Sequence, residues 1–313
     1  MIDRDNIVMG SHFSMKIKDE RVRSILYIVI ALGLSHVLPM VFYYLVDMSV
    51  FEHIMDTVPG GSEDRLQAYT DWYLSYDWLL FIIEFIIKIA ITAFLLKYLL
   101  KFSLKDIKSW FPYRTASQFV IGVLLGIVSI TIVFLVLALT DNAHVVSWQP
   151  NFSLGILKYL LVFVFVGFSE ELFYRGFMIT NLKSFKNVPL IMMLSSVIFS
   201  LDHSWNKAFN LMSFLNIILI GVVLAYIFIK SKSLWMPVGF HILWNYCQGS
   251  IYGFNVSGVT VPSILMTEYE SDNIFNGGGF GPEAGVVTTI VTFLGLLFIW
   301  WYFRAKNTAP DLK

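Results

Sequence analysis

The chain has 313 residues, of which 57% are hydrophobic and 14% are charged, and its mean hydropathy is +0.70. A composition this apolar excludes a soluble globular domain of the same length. The formal net charge of zero argues against a nucleic-acid partner, and the single cysteine, Cys247, excludes an intrachain disulfide and a zinc–thiolate cluster. We therefore expect an all-α, polytopic membrane protein.

Eight apolar stretches are long enough to cross a bilayer as helices, since a span needs about 17 to 25 residues. They cover residues 25–46, 78–96, 119–140, 154–179, 188–204, 211–229, 234–252 and 285–303. Residues 1–24 precede them and residues 304–313 follow. Residues 1–15 lack the basic start and short apolar core of a cleaved signal peptide.

The distribution of cationic residues sets the orientation of these spans. If the amino terminus is cytoplasmic, the inner segments hold 17 of the 22 Lys and Arg residues. Such an asymmetry is typical of the positive-inside rule, so we expect both termini in the cytoplasm.

Two long segments lie outside the membrane on the opposite side. Residues 47–77 are predicted to form an acid-rich loop, and residues 250–284, which contain Asn276-Gly277-Gly278-Gly279, a flexible one.

Three ionisable residues lie near the end of the fourth span, in the stretch Ser169 to Phe177. Charged groups inside a membrane face a polar interior and find partners there. Glu171 and Arg175 are four residues apart, so on a helix they share one face and pair. Glu170 points about 100° away and lacks that partner. The spacing predicts a structural role for Glu171 with Arg175 and a chemical role for Glu170.

Two further polar clusters fall in the fifth and seventh spans. His203 closes the fifth span, and His241 and Asn245 share a helix face in the seventh. At a rise of about 1.5 Å per residue, these side chains and Glu170 lie at overlapping depths, about 10 to 20 Å from the cytoplasmic ends of their spans. A carboxylate in apolar surroundings can act as a general base toward water, and imidazole and carboxamide groups can stabilise an oxyanion. The set suits amide hydrolysis, and the chain has no Gly-x-Ser-x-Gly or His-Glu-x-x-His motif.

At these residues the sequence resembles the CAAX protease and bacteriocin-processing family of intramembrane proteases, also called the CPBP or Abi family, and in particular its type II CAAX prenyl endopeptidase-like members. The family pattern appears as Glu170-Glu171-Leu-Phe-Tyr-Arg175, Phe199-Ser-Leu-Asp-His203 and His241-Ile-Leu-Trp-Asn245. The resemblance covers residues 154–252 and implies a catalytic core of four helices. Asp202, beside His203, is an acid that the pattern does not require.

The resemblance also implies roles for the site residues. By resemblance, Glu170 is the base that activates water, and Glu171 pairs with Arg175 to hold Glu170 in place. His203 would bind the same water, and His241 with Asn245 would stabilise the oxyanion. If zinc is bound, Glu170, His203 and His241 would be its ligands, but Asn245 is a poor fourth ligand. Metal-free catalysis is therefore favoured over zinc.

The leading hypothesis is an intramembrane endopeptidase in a bacterial plasma membrane. Its substrate would be a peptide or protein, with or without a lipid modification, and its partners would include membrane lipid. One rival is a non-enzymatic immunity or scaffold protein that keeps the fold, and another is a transporter that uses Glu84, Lys88 and Glu170. Glu84 and Lys88 lie four residues apart in the second span and are predicted to neutralise each other. The absence of internal repeats argues mildly against transport. The sequence leaves the oligomeric state and the identity of the substrate open.

Overall fold

The computed structural model of the chain describes residues 18–113, 116–147, 150 and 152–308. Residues 1–17 and 309–313, and the cations Arg4, Lys16, Arg114 and Lys313 of the charge comparison, lie outside this part. The described α-helices are α1 Glu20–Thr57, α2 Ser62–Tyr98, α3 Leu104–Lys108, α4 Ser117–Leu139, α5 Leu154–Glu170, α6 Ile179–Asn181, α7 Val188–Asp202, α8 Leu211–Ser231, α9 Trp235–Tyr246 and α10 Val286–Thr308. Within the described residues the only paired strands are β1 His144–Ser147 and β2 Met266–Glu268. The predicted all-α, polytopic membrane fold is confirmed.

Within the residues that the structure describes, six helices are long and apolar enough to cross a membrane: α1, α2, α4, α7 with its 3₁₀ extension to Trp205, α8 and α10. The other two predicted spans are also helical, but each changes helix type. A π-helix at Glu171–Met178 joins α5 to α6, and a second one at Cys247–Ile251 continues α9. Single-turn π-helices often mark functional positions. The count of eight spans and the cytoplasmic location of both termini stay predictions.

Helices α1 and α2 form a long antiparallel hairpin, and here the predicted loop over residues 47–77 is wrong. Only residues 58–61 are non-helical, because Pro59, Gly60 and Gly61 are confined to the turn and helix-compatible residues surround it. The Asp64 side chain accepts a hydrogen bond from the Gly61 amide at 2.8 Å and so caps α2. At about 1.5 Å per residue, the 38-residue α1 is about 57 Å long, well beyond a hydrocarbon core of about 30 Å.

Helix α9, which carries His241 and Asn245, is seated against α4 through glycines. A Cβ atom on Gly126 would lie 2.6 Å from the carbonyl oxygen of Phe240, and one on Gly239 would lie 2.5 Å from that of Phe119. Only a hydrogen fits at these points, so the two backbones approach closely, as they do at small-residue interfaces between membrane helices. This contact fixes the position of α9 in the bundle.

The connections α4–α5 and α9–α10 meet at one end of the bundle. Strands β1 and β2 pair antiparallel there, and a Cβ atom on Gly155, at the start of α5, would lie 3.1 Å from the Pro262 ring. The glycine-rich segment in the second connection has a defined structure rather than that of the predicted flexible loop. Asn276 is 1% exposed, and its side-chain oxygen accepts a hydrogen bond from the Gly278 amide at 3.0 Å. Gly277 and Gly278 adopt positive φ angles that suit a tight turn.

Candidate active site

The predicted site residues come together around one cavity of about 140 Å³ between α2, α5, α7, α8, α9 and the α9–α10 connection. Its polar lining includes four of the predicted residues: Glu170, His203, His241 and Asn245. Most of the remaining wall is apolar and aromatic, with Phe81, Phe85, Phe163, Phe240 and Trp244 among its members. A cavity of about 150 Å³ can hold a benzene-sized group, so this one accepts a small side chain beside polar groups.

Glu171 and Arg175 lie behind the cavity wall, where both side chains are almost fully buried (0% and 1% exposed). The Arg175 Nη1 atom donates to Glu171 Oε1 at 2.8 Å, which is the ion pair that the spacing predicts. The guanidinium also lies over the Phe199 ring, 4.5 Å from its centroid, as in a cation–π contact. Phe199 lines the cavity, so this motif residue separates Arg175 from the cavity.

His241 is joined to this ion pair, a contact that the sequence did not predict. Its Nδ1 atom lies 2.8 Å from Glu171 Oε1 and donates to it, because a carboxylate only accepts. Glu171 therefore orients both Arg175 and the imidazole of His241. The other ring nitrogen, Nε2, lies 3.6 Å from Glu170 Oε2, too far for a hydrogen bond but close enough for both atoms to reach one shared group.

Glu170 ends α5 at the point where the π-helix begins, and its side chain is 17% exposed. Among the described residues its Oε2 atom has no hydrogen-bond partner although it is buried. Buried polar atoms are nearly always paired, so an oxygen of this kind beside a cavity marks a place for a ligand. This environment is the one expected for a base that acts on a bound molecule.

His203 and Asn245 complete the polar part of the wall. His203 lies in the 3₁₀ turn that ends α7, and its Nδ1 atom donates to the Phe199 carbonyl at 2.8 Å. In the neutral imidazole this bond leaves Nε2 as an acceptor. Asn245 is 7% exposed, and no hydrogen bond joins its side chain to another described residue. Its amide can therefore donate to a bound group.

The donor set does not fit a metal centre. No group of three or more His, Cys, Asp and Glu side chains in the described part of the chain is arranged to hold a metal ion. One nitrogen of His241 is engaged by Glu171, and the other is 3.6 Å from Glu170. The residues named as zinc ligands by resemblance thus line one cavity without forming a coordination shell.

A second polar cluster lies between α1, α2 and α7. Lys88 Nζ lies 2.7 Å from Glu84 Oε1, the predicted pair, and Tyr43 donates to Glu84 Oε2 at 3.1 Å. Nearby, His36 Nε2 lies 2.6 Å from Asp202 Oδ1. Asp202 thus binds α1 to α7, which accounts for an acid that the family pattern does not require.

Some lining residues were missed by sequence reasoning. Asn206, Ser257 and Glu283 line the same cavity, the last two from the α9–α10 connection. They belong to no motif, and Ser257 and Glu283 follow the predicted core. No spacing along the chain indicates that this connection folds back over the site.

Comparison with known proteins finds a match in the same part of the chain. Residues 151–247 match the family model described as Type II CAAX prenyl endopeptidase Rce1-like. No curated protein matches the chain. The matched segment contains all six predicted site residues, and its boundaries lie close to the predicted four-helix core. Residues 151–247 are therefore similar to the Rce1-like type II CAAX prenyl endopeptidase family, and the resemblance predicted from the three motifs is confirmed for this segment.

Proposed function

We propose that the protein is an intramembrane endopeptidase in which Glu170 activates water to hydrolyse a peptide bond. The observation that carries this proposal is the meeting of Glu170, His203, His241 and Asn245 around one cavity. The Rce1-like match supports a CAAX-type intramembrane protease in general. A peptide or protein with an apolar segment, lipid-modified or not, is the class of substrate that suits the aromatic walls.

In the proposed reaction, a water molecule donates one hydrogen bond to Glu170 and another to His203 Nε2. As its oxygen attacks the carbonyl carbon, Glu170 takes the first proton. Asn245 and the protonated His241 donate hydrogen bonds to the oxyanion that forms. When the carbon–nitrogen bond breaks, Glu170 returns its proton to the leaving amine, so that protons balance over the cycle.

Glu171 and Arg175 act as positioning residues in this scheme. The Glu171 carboxylate accepts from His241 Nδ1, which keeps the Nε2 side of the ring toward Glu170. A carboxylate on one face of an imidazole also stabilises its protonated form. Arg175 in turn neutralises Glu171 in a site without access to water.

The test compares Glu170→Gln with Glu84→Gln. Glu84 is also a membrane glutamate, but it pairs with Lys88 and is not part of the cavity wall. The probe is an internally quenched peptide with an apolar carboxyl-terminal segment, made with and without an S-farnesyl cysteine and reconstituted with the protein in liposomes. We expect Glu170→Gln to lower kcat by about 10²-fold or more, since general-base catalysis contributes about 10²- to 10⁴-fold. Glu84→Gln should stay within a few fold of the unmodified protein.

Full cleavage activity in a correctly inserted Glu170→Gln protein would refute the proposed role of Glu170 as the base. No cleavage of either peptide by the unmodified protein would favour a binding or scaffold role. Solute flux in the same liposomes that depends on Glu84 would instead favour a transporter.

A further inference from the structure

A second carboxylate, outside the matched domain, belongs to the wall of the same cavity. Glu283 lies in the α9–α10 connection, in a short 3₁₀ turn just before α10, and is 6% exposed. Its neighbours on the wall from this connection are Val256, Ser257, Val259 and Val261. The connection therefore closes the cavity with apolar side chains and one acid.

The position of Glu283 is tightly determined. Its Oε2 atom accepts hydrogen bonds from the amide and the hydroxyl of Ser257, at 2.6 and 2.8 Å. The Asn216 side chain on α8 donates to the carbonyl oxygens of Glu283 and Gly285, at 2.8 and 2.9 Å. Both hydrogen bonds to the carboxylate go to one oxygen. The other oxygen, Oε1, has no hydrogen-bond partner in the described part of the chain.

Glu283 also lacks a cation. No Lys, Arg or His side chain within the described ranges forms an ion pair with it, whereas Glu84, Glu171 and Asp202 each have one. Burying a carboxylate is costly unless it is paired as well as hydrogen-bonded. The Ser257 contacts satisfy one oxygen and leave the charge uncompensated, beside a cavity that accepts a ligand.

We propose that Glu283 is the subsite for a positively charged group of the substrate, a lysine or arginine side chain or an amino terminus close to the scissile bond. This subsite rests on the proposed function of the cavity as a peptidase site, and it specifies that the peptide bound there carries a positive charge. The cationic group would bind Oε1 of Glu283 while the backbone beside it reaches Glu170 and Asn245.

The electrostatics of the surrounding protein favour the same class of substrate. Residues 47–77, the far part of the α1–α2 hairpin, hold seven carboxylates and one arginine, a net formal charge of −6. At the base of this part, Asp77 accepts a hydrogen bond from Tyr159, which itself lines the cavity, at 2.8 Å. An acidic surface next to a cavity raises the local concentration of cationic ligands.

The experiment measures binding without cleavage, so that its outcome is separate from that of the proposed reaction. The Glu170→Gln protein in nanodiscs is titrated with fluorescent apolar peptides that are acetylated at the amino terminus and carry either lysine or norleucine at one position. A second pair of norleucine peptides, with free and acetylated amino termini, distinguishes the two sources of the charge. Fluorescence anisotropy gives the dissociation constants.

We expect a charged peptide to bind about tenfold more tightly than its neutral partner, and this ratio to fall to about one when Glu283→Gln is added. Glutamine can still accept from Ser257, so the variant removes the charge and retains the contact. Glu84→Gln in the same background removes a membrane charge away from the cavity wall and should leave the ratio unchanged.

Equal binding of charged and neutral peptides by the Glu170→Gln protein would overturn the proposal. This result does not depend on the Glu283→Gln variant being folded. A preference that survives Glu283→Gln in a folded protein would overturn it too. If the protein binds cationic peptides through Glu283 yet cleaves none, the subsite stands and the proposed hydrolysis falls.

Discussion

The buried ion pair between Glu171 and Arg175 gives the sharpest test of how the site is held together. In Arg175→Met a straight apolar side chain of similar length can keep its packing on Phe199 while the charge is lost. The Glu171 carboxylate, 0% exposed, then retains only the contact with His241. Breaking a buried pair from one side costs about 3 to 5 kcal/mol. Because His241 still donates to Glu171, we expect a loss near the lower limit, about 3 kcal/mol.

The free energy of unfolding is measured by reversible unfolding in mixed detergent micelles, monitored by tryptophan fluorescence and circular dichroism. The proteins compared are the single variants Arg175→Met and Glu171→Gln and the double variant that combines them. Removal of both charges leaves no buried ion unpaired, so the double variant should lose less than the sum of the singles, with a coupling of about 2 kcal/mol. The control is Arg23→Met, which breaks an exposed pair with Glu20 whose charged atoms are 3.8 Å apart. This change should cost less than about 1 kcal/mol.

An Arg175→Met loss that matches the Arg23→Met loss would refute this reasoning. Strict additivity of the two single variants would refute it as well, because the charges would then not depend on each other.

Three further outcomes are expected. Gly126→Val should lower the free energy of unfolding by about 1 to 3 kcal/mol, because the new side chain would clash with the Phe240 carbonyl. Gly33→Val is the control: a Cβ atom on Gly33 has no other atom within 4 Å, so this variant should change the free energy of unfolding by less than about 0.5 kcal/mol. Asn181→Ala should cost about 1 to 3 kcal/mol in the same unfolding measurement, since Asn181 donates to the Ser24 carbonyl at 2.8 Å from a buried position. Peptide cleavage should be unchanged by excess chelator, because the cavity residues do not form a coordination shell.

Each of these outcomes has a contrary result. Equal effects at the two glycines would mean that close packing of α4 and α9 is not required. An unchanged unfolding midpoint for the asparagine variant would mean that its hydrogen bond is replaced by another. Activity that is lost with chelator and restored by zinc would show that the site binds a metal in its active form.

Much of the fold and part of the site follow from local rules that hold along any helix. The apolar stretches specify membrane helices because a backbone in hydrocarbon must satisfy its own hydrogen bonds. The spacing of Glu171 and Arg175 specifies their ion pair because residues four apart on a helix are neighbours. The three motifs, on separate spans at similar depth, identified Glu170, His203, His241 and Asn245 as site candidates, and all four line the cavity.

Tertiary structure decided the contacts whose partners are distant in the chain. The bond between Glu171 and His241 joins residues 70 positions apart, and no periodicity in the sequence encodes it. The loop predicted for residues 47–77 was wrong, because acidic side chains and one Pro-Gly-Gly turn are compatible with a loop and equally with the ends of two helices, which the structure has. Glu283 lines the cavity only because the α9–α10 connection folds back over the cavity. Local spacing determines which residues share a helix face, whereas the packing of helices and connections determines which faces meet.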